Sequence, residues 1–112
     1  MTERITVCHL SPDFEVTFPL IRNTVAGLQR IVGGYFEAIG LPEQLEERGL
    51  LGLVDEDGTS KQLPSNLYAT LIGRVLVGPI VIVRTDGSDF VTLGEDDIHA
   101  LGTFFGLDGA VP

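Results

Sequence analysis

The sequence contains one cysteine, one methionine and no tryptophan in 112 residues. A single thiol, Cys8, excludes an internal disulfide framework and a cysteine-based zinc site. Its plain identity is a small buried side chain in a reducing compartment. Cations are also scarce, with seven Lys and Arg against sixteen Asp and Glu, for a formal charge of −9. Such a balance repels nucleic-acid backbone and anionic membrane, so neither is expected as a partner. Long hydrophobic runs are missing as well. The longest apolar stretch, VLVGPIVIV at 75–83, is about half of what a bilayer-spanning helix requires, and it reads as a strand. MTERITVCHL at the start lacks the basic opening, apolar core and small-residue cleavage site of a secretion signal, so a cytoplasmic address is expected.

What is present fits one domain over 1–112. RITVC (4–8) and FEVTF (14–18) are β-rich and flank a turn at Ser11, Pro12 and Asp13, which predicts an opening hairpin. Asn23 stands as a helix N-cap, with Val25, Leu28, Ile31 and Val32 as the apolar stripe that follows. Gly33 and Gly34 end that helix, since glycine takes the left-handed conformation without a Cβ penalty. YFEAI (35–39) reads as a strand with Tyr35, Glu37 and Ile39 on one face. The segment 42–49 is a short polar helix or loop. Asp57 with Gly58, and Asp86 with Gly87, sit between β-rich runs and predict two more hairpins. Segment 64–79 reads as a short helix or turn before a strand from about Ile80. A last helix begins at Gly94 with Glu95, Asp96 and Asp97, buries Ile98, Leu101 and Phe105, and ends at Gly106. Hairpins with two main helices give an α+β domain on a mostly antiparallel sheet.

No catalytic set emerges. Cys8 and His9 are adjacent on one strand and point to opposite faces. Asp96 and His99 share a helix face, but two ligands without a third do not make a metal site. Acids near the Asp57 turn, Asp55 and Glu56 among them, read as solvated. Neither enzyme activity, nor a metal, nor a cofactor is therefore expected. The glycines do not form a nucleotide fingerprint, because they follow a helix rather than preceding one. What remains is an irregular pocket in which the backbone of Gly33 and Gly34, together with Tyr35, Glu37, Lys61, Asn66 and Arg74, would hold a small polar or anionic ligand.

VGGYFE (32–37), VDEDG (54–58), LPSN (63–66), VGPIVIV (77–83) and VTLGEDDI (91–98), in this order and spacing, resemble the domain of unknown function 3846, carried mainly by phages, plasmids and their bacterial hosts. The resemblance spans about 4–102. The family's Gly-Gly-aromatic-x-Glu matches Gly33, Gly34, Tyr35 and Glu37, and its Leu-Pro-x-Asn matches Leu63, Pro64 and Asn66. Where members often carry Ser-Leu-Thr before the last helix, Thr92, Leu93 and Gly94 stand here, which weakens the cap.

The resemblance implies an accessory protein of a mobile element and no known reaction. Two functions are expected from it together with the composition. The first is sequestration, without cleavage, of a small nucleotide-type signal by a homo-oligomer acting against host defence. Tyr35 would stack on a base, the glycine amides would meet a phosphate, and Lys61 or Arg74 would neutralise charge. The alternative is an acidic inhibitor or DNA mimic that acts on a host protein through the acids at 55–57 and 95–97.

Overall fold

The computed structural model describes residues 3–106. Strands β1 (Arg4–Thr6) and β2 (Cys8–Leu10) run outward, and β3 (Val16–Thr17) and β4 (Leu20–Arg22) return beside them. The opening hairpin is thus present and runs on to Arg22. It is broken between the two ladders at Pro19, which lacks an N–H to donate; there the Val7 amide donates to the Pro19 carbonyl at 3.0 Å. Helix α1 (Val25–Val32) follows, then β5 (Phe36–Ile39), α2 (Glu43–Glu46) and β6 (Leu50–Asp55). A small ladder of β7 (Ser65–Asn66) and β8 (Leu76–Val77) encloses α3 (Tyr68–Leu71). The chain continues through β9 (Ile80–Asp86), β10 (Asp89–Val91) and α4 (Glu95–Phe104).

The main sheet has the order β3-β2-β9-β6-β5, with β10 also on β9, and each of its pairs is antiparallel. The fold is α+β with α1 and α4 as the two long helices. Period-two alternation divides the core between the sheet's two faces. On one face Leu50, Val54, Ile80 and Ile82 pack with Leu45, Tyr68, Ala69, Leu101 and Phe105. On the other, Leu53, Val81 and Val83 pack with Ile5, Val7, Leu28 and Val32. Both faces are covered, which is why β9 opens as the uninterrupted apolar run IVIV. Complete burial of each such side chain is worth roughly 1.5–3 kcal/mol.

Three local expectations change. The N-cap of α1 is Thr24, whose hydroxyl accepts from the Gly27 amide at 2.9 Å. Asn23 instead donates to Glu3 Oε1 and to the Phe90 carbonyl, tying the ribbon to β10. Val25 lies outside the packed stripe, 64% exposed, so α1 buries Leu28 and Val32 alone. No hairpin forms across Asp57 and Gly58. Residues 56–64 contain no strand, because the segment is held as consecutive turns by bonds from Lys61 N to Asp57 O and from Leu63 N to Gly58 O. The other predicted hairpin does form between β9 and β10, with Asp86 opposite Asp89 and Gly87 at φ +65°.

Candidate functional site

At the end of α1, Gly33 adopts φ +104° and its amide, like that of Gly34, donates to the Gln29 carbonyl. The helix-cap role read from the sequence holds at both residues. Lys61 reaches the same turn, donating to Asp55 Oδ2 at 2.7 Å and to the Gly33 carbonyl at 3.2 Å. A Cβ on Gly34 would lie 2.6 Å from Lys61 Nζ, so a side chain there would displace the lysine tip from this position. The Asp55 side chain is 1% exposed, not solvated as its turn setting suggests. The Lys61 hydrogen bond holds its carboxyl below the ordinary carboxylate range; burial opposes this, and the Asp57 amide assists it. Gly33, Gly34, Lys61 and Asp55 thus form one latch that fixes the entry to β5.

The other nominated residues have separate positions. Tyr35 is 67% exposed, and Glu37 lines a hollow of about 180 Å³ with Asp55, Glu56 and Val75 to Val77. Asn66 is buried and committed to the fold: it donates to the Leu10 and Gly78 carbonyls and accepts from the Tyr68 amide. Arg74 donates to the Gly40 carbonyl at 3.2 Å. Cys8 is buried against the helices, and desolvation pushes its thiol up to about 12, so it stays protonated at neutral pH.

A larger groove, which the sequence reading did not nominate, lies between the β1/β4 ribbon and α1. It encloses about 710 Å³ and is lined by Arg4, Leu20, Ile21, Arg22, Thr24, Ala26, Gly27 and Arg30, a volume within the ordinary range for small-molecule sites. Strand pairing sets one wall, because Arg4 and Arg22 are direct cross-strand partners. Helical spacing sets the other: Ala26 and Arg30 are four apart and share a face of α1. Gly27 closes the floor, since a Cβ there would collide with the Arg22 carbonyl oxygen.

The charge pattern separates this groove from the rest of the molecule. Of the seven Lys and Arg, Lys61 and Arg74 are bonded as described. Arg48 and Arg84 both reach Asp97, at 3.3 Å and 2.9 Å. The side chains of the remaining three, Arg4, Arg22 and Arg30, are exposed and make no hydrogen bond or ion pair among the described residues, and all three line the groove. No carboxylate lines it with them, and the first turn of α1 carries no acid. The positive end of the helix dipole therefore adds to the arginines' field instead of being neutralised. Like charges directly opposite on paired strands cost stability, so an anion placed between Arg4 and Arg22 would remove a repulsion as well as gain bonds. Guanidinium groups so placed have the chemistry to meet an anion.

Comparison with known proteins returns no matching curated protein and no matching solved structure. The family described as a domain of unknown function, DUF3846, matches residues 5–106, a span that takes in every strand and helix described above except the outermost residue of β1. On that match the chain belongs to the DUF3846 family.

Proposed function

We propose that this protein binds and holds, without cleaving it, a small anionic ligand of nucleotide type, and that the groove between the β1/β4 ribbon and α1 is the site. The observation that carries the reading is the convergence of all three unpartnered arginines on one groove of a chain whose net charge is −9. Arginine guanidinium groups match phosphate oxygens bidentately and stay charged at any physiological pH. Leu20, 59% exposed, and Ile21 supply apolar surface for a base or sugar. The phage or plasmid setting that the family resemblance implies gives such binding a use, namely removal of a host signalling nucleotide. Tyr35 and the latch at Gly33, Gly34 and Lys61 do not line this groove, so the proposal moves from them to the three arginines. The acidic-inhibitor alternative is left with Glu56, Asp57, Glu95 and Asp96, because Asp55 and Asp97 are buried in ion pairs.

A homo-oligomer is part of the same proposal. The outermost strand, β5, has one edge unpaired among the described residues, and exposed edges invite pairing with a second copy. Light scattering that returns 12.1 kDa at every concentration ends that part. The binding test is calorimetry of the purified protein against a panel of cyclic dinucleotides, cyclic oligonucleotides and cyclic ADP-ribose isomers, followed by denaturation and recovery of the ligand. Intact ligand recovered from a tight complex, with affinity reduced roughly a hundredfold in the Arg4→Gln/Arg22→Gln double variant, is the expected outcome. A folded protein that binds no member of the panel refutes the reading, and a ligand recovered as cleaved product refutes its non-catalytic part.

A further inference from the structure

Resting on the groove as the binding site, we infer that its ligand carries two phosphoryl groups, one met by the Arg4 and Arg22 pair on the ribbon wall and the other by Arg30 on the helix wall. The two walls belong to different elements. Arg4 and Arg22 are opposite residues of one antiparallel ladder, where facing Cβ atoms stand roughly 4.5–5.5 Å apart, close enough for two guanidinium groups to close on one phosphoryl group. Arg30 projects from α1 on the helix side. Long helical side chains lean back toward the N-terminus, so its stem lies over the turn that holds Ala26 and Gly27.

Charge gives a second argument. A phosphomonoester carries about −1.5 to −2 at neutral pH. One such group compensates the ribbon pair and leaves Arg30 without a counterion, in a groove where no described carboxylate can supply one. A nucleoside diphosphate brings about three negative charges and balances three arginines, and a cyclic dinucleotide brings about two but can set one against each wall. Nucleoside diphosphates and cyclic dinucleotides share this chemistry; a nucleoside monophosphate and inorganic phosphate do not.

The test is calorimetry of the full chain with three probes: adenosine 5′-monophosphate, adenosine 5′-diphosphate and a cyclic dinucleotide of adenosine. At least one probe with two phosphoryl groups is expected to bind roughly tenfold or more tighter than the monophosphate. Arg30→Gln should erase that advantage by weakening the probes with two phosphoryl groups several-fold more than it weakens the monophosphate, and Arg4→Gln or Arg22→Gln should weaken every probe that binds. Circular dichroism and thermal melting of each variant establish that it is folded. Equal affinity for all three probes, or an Arg30→Gln variant that weakens all of them alike, overturns the two-phosphoryl inference and leaves an anion site in place. No binding of any probe overturns the two-phosphoryl inference for these ligands, and the groove reading falls with it when the wider panel also fails to bind.

Discussion

Arg48 and Arg84 converge on Asp97 at the start of α4, whereas Arg4, Arg22 and Arg30 converge on the groove beside α1 with no carboxylate among them. In the first cluster the fold supplies its own counterion. Asp97, 1% exposed, accepts from both arginines and also from the Gly94 amide at 2.9 Å, so a single carboxylate pairs with two cations and caps a helix. The helices differ in the same sense: the first turn of α4 holds Glu95, Asp96 and Asp97, and that of α1 holds no acid. One end of the molecule is electrostatically complete and the other is not. An arginine with an internal partner is explained by the fold; the three exposed ones beside α1 have water as their alternative, and the proposed anion would replace it.

The strongest way to break this contrast is to remove the internal counterion. Asp97→Asn leaves two guanidinium groups facing a neutral amide and weakens the α4 cap. It should lower unfolding free energy by roughly 2–3 kcal/mol in urea titrations, below the full penalty for a buried pair because both arginines are partly exposed. The same variant should leave anion binding at the groove unchanged. A loss below 0.5 kcal/mol or so would show that Asp97 is not the electrostatic centre of its cluster.

Asp55 sharpens the contrast through pH. Its carboxyl is held below its ordinary value of 3.8, chiefly by Lys61. A depressed folded-state value contributes stability that is fully present above 3.8 and is lost as pH falls through that lower value. Asp55→Asn should therefore be about 1 kcal/mol less stable than the parent at neutral pH, given a partner lysine that is 41% exposed, with the gap closing on acidification. A gap that stays constant down to about pH 2 would assign the loss to packing instead of the ion pair.

The smallest expected effect lies in the other cluster and has the opposite sign. Arg4→Gln removes a like-charge cross-strand pair and should raise stability of the unliganded protein by roughly 0.2–1 kcal/mol at low salt, with the gain fading as salt screens the repulsion. Thermal melts across a salt series measure it. Destabilisation at every salt concentration would mean that Arg4 serves the fold.

What the sequence made legible was local. The helix stop at Gly33, the start of α4 at Gly94 and the hairpin from β9 into β10 rest on the conformational preferences of neighbouring residues, which distant contacts did not override. The apolar run of β9 announced a strand for the same reason. Asp57 with Gly58 carried the same hairpin signal as Asp86 with Gly87, yet no second strand followed, because Lys61 reaches back to Asp55 and Gly33 and holds the segment in turns.

The charges were decided by tertiary structure alone. Asp55 and Asp97 look like surface acids in the sequence and are buried: Asp55 meets Lys61 across the turn that follows it, and Asp97 meets Arg48 and Arg84 from other parts of the chain. The one signal available for the groove was the shortage of basic residues, which made the placement of each worth following. Arg4 and Arg22 lie on separate strands of the chain, Arg30 on the helix that follows the second, and nothing local to any of them marks a site. They meet because ladder register puts Arg4 opposite Arg22 and because Gly27 lets α1 approach the strand that carries Arg22. Register and close approach are properties of pairs of distant segments, so composition sets how many cations there are and only the folded chain decides which of them are left without a partner.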